Sequence, residues 1–73
     1  MTFKQKLAKT LISEIQICQK IASDKARNSE LEEASRWRSK VYSCQTIAET
    51  MFGINSEIDH RDCVKELQKF LPK

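Results

Sequence analysis

The stretch Ala26-Arg27-Asn28-Ser29-Glu30-Leu31-Glu32-Glu33 decides the fold, because apolar residues recur at helical spacing on both sides of it. Only a break here lets the two halves pack on each other. Asn28 and Ser29 interrupt the apolar pattern, and Ser29 with Glu32 three residues on has the form of a capping box. In that motif a hydroxyl and a carboxylate satisfy free amides of a new first turn. One uninterrupted helix over residues 3–52 is the competing reading, and the internal cap signal favours a hairpin.

Working back from the break, Ala8, Leu11, Ile15, Cys18 and Ala22 repeat at spacings of 3, 4, 3 and 4, with Leu7 and Ala26 extending the stripe. At about 100° per residue these fall on one face, which predicts a first helix over about residues 3–27. Phe3, Ile17 and Ile21 lie on one shoulder and Ile12 on the other. That arc is wider than a two-helix seam requires. Working forward, Ala34, Trp37, Val41, Cys44, Ala48 and Met51 form a second stripe flanked by Leu31, Ile47 and Phe52, and Gly53 stands where a left-handed residue would end a helix. The second helix is therefore expected over about residues 30–52. A third is expected over about residues 59–71, with Cys63, Val64, Leu67, Phe70 and Leu71 on one face and Pro72 stopping it. Asp59 suits its N-cap, which makes Ile58 a staple against Cys63; Ser56 with Asp59 is a rival cap. Short connections favour antiparallel neighbours, so the expected fold is all-α, a three-helix antiparallel bundle running up-down-up, with residues 1–73 as a single small helical domain.

Composition agrees. The chain has 73 residues, 40% of them hydrophobic, with one Gly and one Pro. This is too apolar for disorder, too poor in turn residues for many short strands, and too short for a multidomain enzyme. The longest apolar runs, such as Leu11-Ile12 and Met51-Phe52, are far shorter than the roughly 20 residues of a membrane span. Residues 1–13 carry Lys4, Lys6 and Lys9 without an acid, but Glu14 and Gln16 interrupt the apolar run before a secretory core of roughly 7 to 15 residues can form. The segment also lacks the Arg that mitochondrial presequences favour and continues into a longer helix. The three cysteines, Cys18, Cys44 and Cys63, are an odd set without close spacing, which fits a reducing cytoplasm better than a secreted disulfide scaffold.

Three groups of residues invite a chemical reading. Cys18, Cys44, Cys63 and His60 are the donor types of a Cys3His zinc site. With a turn near residue 28, however, Cys18 and Cys44 stand several residues apart along the hairpin, and all three cysteines fall on apolar stripes, where Cys behaves as a small hydrophobe. No metal or cofactor is expected. His60 lies between Asp59 and Arg61, and the nearby carboxylates Asp59 and Asp62 are explained by capping; there is no Gly-rich phosphate loop, no His-Glu-x-x-His and no Cys-x-x-Cys. No enzymatic activity is expected, since no convergent groups in a pocket are visible.

The second group surrounds Trp37. Thirteen Lys and Arg against ten Asp and Glu leave a net charge of only +3, so distribution decides what it means. If the third helix runs back along the second, Lys20, Arg36, Arg38, Lys40, Lys69 and Lys73 form a band of cations that could meet nucleic-acid phosphates. Trp37 itself belongs to the apolar stripe and is expected to be buried opposite Ala22, large against small. Lys6, Lys9, Lys20 and Arg27 on the outer side of the first helix are a sparser basic face of the ordinary solvated kind. The third group is the apolar surplus Ile17, Ile21 and Ile47, which a small domain with a weak core would use for association.

The expected function is that of a small non-enzymatic helical interaction protein, binding a protein partner or its own copy as a homodimer through a helix face. A Met-started chain without linkers suggests an accessory or regulatory protein of the kind compact genomes such as phages encode. The alternative is a nucleic-acid-binding accessory protein using the basic band.

Overall fold

The computed structural model describes residues 1–72 and contains three helices, α1 (Phe3–Arg27), α2 (Leu31–Phe52) and α3 (His60–Gln68). α1 and α2 form the long hairpin, and the shorter α3 packs against both. The all-helical architecture is thus the expected one, while its junctions differ in detail.

α1 starts at a capping box that the sequence pattern left unremarked. The Thr2 hydroxyl accepts from the Gln5 amide at 3.2 Å and the Gln5 side-chain oxygen accepts from the Thr2 amide at 2.9 Å. At the hairpin turn the expected Ser29–Glu32 box is absent. Ser29 has a left-handed backbone, φ +62°, and its N–H donates to the Ala26 carbonyl at 3.1 Å while the Glu30 N–H donates to the Lys25 carbonyl at 2.9 Å. This pair of bonds is the Schellman closure, which terminates a helix rather than starting one. An N-cap residue needs an extended backbone, and one residue cannot satisfy both demands. Ser29 therefore ends α1, and Glu30 takes the N-cap place of α2 with no side-chain cap bond. The Lys25 ammonium ties the corner together, reaching the Glu30 carboxylate at 3.2 Å and Glu33 at 3.0 Å.

α2 ends at Gly53, whose φ of +71° is the left-handed conformation expected there. Asp59 caps α3 as expected, its carboxylate accepting from the Arg61 amide at 2.8 Å. α3 is shorter than the predicted span. The Lys69, Phe70 and Leu71 amides donate three residues back, to Glu66, Leu67 and Gln68. Such a tight turn advances by about 120° per residue rather than 100°. Phe70 lies past the end of α3 and is a correction: it is exposed rather than in the core, with its ring centroid 4.8 Å from that of Phe52.

The direction of α3 is the second correction. Residues 53–59 climb back along α2, with the Ser56 amide donating to Glu49 at 2.8 Å and the Gln45 side chain donating to the Ile58 carbonyl at 2.8 Å. α3 then descends until Phe70 meets Phe52. It therefore runs antiparallel to α1 but in the same sense as α2, where an up-down-up course was expected. Seven extended residues reach roughly 23 Å, enough for this return. The core beneath consists of Ala8, Leu11, Ile12, Ile15, Cys18, Val41, Ala48, Ile54, Cys63, Val64 and Leu67. Trp37, Cys44, Ile58 and Leu71 pack on it half-buried, so Trp37 and Cys44 are core-edge residues rather than central ones.

Candidate interaction surface

The return of the 53–59 segment gives the hairpin two unlike sides. On one side Gln19 of α1 and Arg38, Tyr42 and Gln45 of α2 face Ile58, Asp59 and His60 across a notch of about 440 Å³. Gln45 is a buried polar residue, 2% exposed, and its amide bond to the Ile58 carbonyl holds the climbing segment against α2. A polar residue between Val41 and Ala48, outside the second apolar stripe, it gave no hint of this.

The other side of the hairpin is not covered by α3. Helical phase identifies it: Lys25 and Glu33, which bridge the two helices there, lie about 140° around α2 from Arg38 in the case of Glu33, at 100° per residue. Four rows spaced by sevens run along this side. On α1 they are Leu7, Glu14, Ile21 and Phe3, Thr10, Ile17; on α2 they are Trp37, Cys44, Met51 and Glu33, Lys40, Ile47. A repeat of seven keeps residues in a nearly straight line on a helix, which is the geometry of a second helix-packing seam. Phe3 is 72% exposed, Ile17 53% and Ile47 43%, with Met51 also exposed, while Leu7, Ile21, Trp37 and Cys44 are half-buried. Of the expected association residues, Ile17 and Ile47 are thus solvent-facing and Ile21 is half-covered, and all three belong to this one face.

Cys44 borders this face, while Cys63 is buried in α3. Burial pushes the Cys44 thiol up, with smaller contributions from Cys18, Glu14 and Cys63, and burial followed by Glu66 does the same to Cys63. A raised thiol is mostly protonated near neutral pH and is a poor nucleophile and metal donor. Cys18, Cys44 and Cys63 are free thiols, and His60 lies in the notch on the opposite side, its Nδ1 3.6 Å from the Asp59 carboxylate. Among the described residues no three His, Cys, Asp or Glu side chains are grouped to hold a metal ion.

The basic band is divided. Arg36 and Lys40 share one side of α2, whereas Arg38 lies about 160° away from either by helical phase and lines the notch. Lys20 is exposed on the outer side of α1. Because α3 runs in the same sense as α2, Lys69 sits beside Phe52 and Gly53 rather than Arg38, and it is paired with Glu66 at 3.0 Å. Lys73 lies outside the described residues. The Lys40 ammonium stands 4.0 Å over the Trp37 ring, a cation–π contact that occupies one face of the indole.

Comparison of the chain with family models, with curated proteins and with solved structures gives no match. No helix among the described residues is long and apolar enough to cross a membrane.

Proposed function

We propose that this chain is a non-enzymatic interaction protein that binds a helical protein surface through the side of the α1–α2 hairpin left open by α3. The observation that carries this reading is the group of large apolar side chains Phe3, Ile17, Ile47 and Met51 exposed on that side, in seven-residue rows that also carry Thr10, Glu14, Glu33 and Lys40. Leaving large side chains in water forgoes about 25 cal/mol for every Å² of apolar surface that a partner would cover. Large apolar side chains exposed on one face and rimmed by polar residues are a usual mark of a protein-binding face. The core supports the same conclusion. Ala8, Ala22, Ala34 and Ala48 are its most completely buried members together with Ile15, Cys63 and Leu67, so much of the apolar volume lies at the surface instead.

The test is site-specific photocrosslinking in cells of the native host. A photoreactive side chain at Ile17 or Ile47 should yield a discrete protein adduct, while the same group at Lys65 on the exposed side of α3 should not. Equal or absent crosslinking at the three positions would overturn the reading. Crosslinks to nucleic acid from Arg36 or Lys40 would instead favour the nucleic-acid alternative.

A further inference from the structure

We propose that the narrow end of the bundle, where α1 begins and α2 and α3 finish, docks on a membrane surface that carries anionic lipid. Among the described residues eight large apolar side chains are exposed, and Met1, Phe3, Met51 and Phe70 gather at this end. The hairpin brings the start of α1 to the finish of α2, and Phe70 reaches the same place through its contact with Phe52. Phe3 stands on the open side of the hairpin and Phe70 on the side of α3, so the end carries aromatic rings at both edges.

Charge separates along the molecule in the matching sense. The segments that form this end, residues 1–8, 50–55 and 67–72, hold Lys4, Lys6 and Lys69 and no acid. The acids that flank them are engaged, Glu49 by the Ser56 amide at 2.8 Å and Glu66 by Lys69 at 3.0 Å, and Glu57 lines the notch higher on the bundle. Lys4 and Lys6 are exposed and make no ion pair among the described residues. At the opposite end Asp24, Glu30, Glu32 and Glu33 outnumber Lys25 and Arg27. The resulting field turns the apolar end toward an anionic surface.

Shape favours lipid over protein as the occupant. The molecule measures 40 × 20 × 17 Å. Its narrow end therefore offers on the order of 300 Å² in outline, well short of the roughly 800 Å² per partner of a stable protein interface. A lipid surface needs no matching shape. It closes around a convex end, takes in apolar side chains to a depth of about 5 to 10 Å and leaves lysine ammonium groups among the headgroups.

The experiment is co-sedimentation of the purified chain with vesicles of phosphatidylcholine and phosphatidylserine in about a two-to-one ratio, with pure phosphatidylcholine vesicles for comparison. The chain should pellet with the mixed vesicles, much less with the uncharged ones, and be released as salt screens the surface. Lys4→Gln with Lys6→Gln should weaken binding by on the order of 20-fold, since each cation near such a surface contributes about fivefold. Phe3→Ser and Phe70→Ser should each weaken it by on the order of fivefold. Phe3 is so exposed that its replacement should leave the far-ultraviolet circular dichroism unchanged. Lys20→Gln with Arg36→Gln removes the same charge from exposed positions nearer the turn and should change little. No pelleting with the mixed vesicles at low salt would overturn the membrane assignment. So would binding indifferent to both phenylalanine variants, or binding lost equally with Lys20→Gln and Arg36→Gln, the mark of diffuse charge attraction. Crosslinks from Ile17 and Ile47 are read independently, so a chain that ignores vesicles but gives those adducts loses the membrane-docking end and keeps its protein-binding side.

Discussion

Ser29 is the position at which the structure makes its sharpest quantitative statement about stability. Its φ of +62° places an L-residue in the left-handed region, which costs about 1 to 2 kcal/mol through the approach of Cβ to the following carbonyl. Glycine has no such cost, but it loses more backbone entropy on folding, about 0.5 to 1 kcal/mol. The difference predicts that Ser29→Gly stabilises the chain by about 0.5 to 1 kcal/mol. For a domain of this size that is a rise of roughly 2 to 8 °C in melting temperature. Ser29→Ala should be nearly neutral, because Ser29 is exposed and the N-cap of α2 is Glu30 rather than Ser29. The capping-box alternative makes the opposite forecast: Ser29→Ala would cost about 1 kcal/mol and Ser29→Gly a few tenths. Thermal unfolding followed by circular dichroism, at one protein concentration for all three chains, separates the two. A Ser29→Gly variant less stable than wild type, with Ser29→Ala less stable still, would refute the Schellman assignment.

Three further outcomes follow from the packing and the caps. Val41→Asp strands a carboxylate at a buried position between the helices, at a cost of about 3 kcal/mol or more, comparable to the entire stability of so small a domain; loss of the helical circular dichroism signal checks this. Gln45→Met keeps the volume but removes the donor to the Ile58 carbonyl, so it should cost about 1 kcal/mol and speed amide exchange in residues 56–60 before it affects α1. Hydrogen bonds from Ser56 hold the Glu49 carboxyl below its usual range of about 4.5, and the Arg61 amide does the same for Asp59, normally about 3.8. Folded-state values below the unfolded ones mean that both groups stabilise the fold above those values and lose that contribution as pH falls through the lower folded values. Acid titration should therefore loosen the residue 53–61 segment below about pH 4.5, and Glu49→Gln with Asp59→Asn should flatten the profile.

Periodicity was enough to locate the main core stripes, because Leu11, Ile15, Cys18 and Val41 each lie on an apolar face, while the division into a hairpin rested on the Asn28-Ser29 break and its cap signal. Asp59 and Gly53 were legible for the same local reason, a capping carboxylate and a residue free to adopt positive φ. Ser29 was not, since a serine three residues before a glutamate looks alike whether it begins the second helix or ends the first. The direction of α3 depends on Gln45 and Glu49 gripping the returning segment, long-range bonds that no local pattern encodes. Its reversal is also what removes Lys69 from the neighbourhood of Arg38 and divides the expected cation band. The association residues Ile17, Ile21 and Ile47 were visible as an apolar surplus. Their partners Phe3, Trp37 and Met51 were assigned to shoulders and stripes, and only the placement of α3 on the opposite side reveals that the sevenfold rows share one open face.

The central claim is that this face is covered in the working state of the protein, and hydroxyl-radical footprinting tests it most directly. Labelling of dilute purified chain is compared with labelling in extract of the native host, read by mass spectrometry at Ile17, Ile47 and Met51 on the open face and at Leu31 and Tyr42 away from it. The account predicts protection at the first three, with Leu31 and Tyr42 labelled equally in both conditions. Protection centred on Tyr42 and the notch, or undiminished labelling of Met51 and Ile17 in the extract, would contradict it.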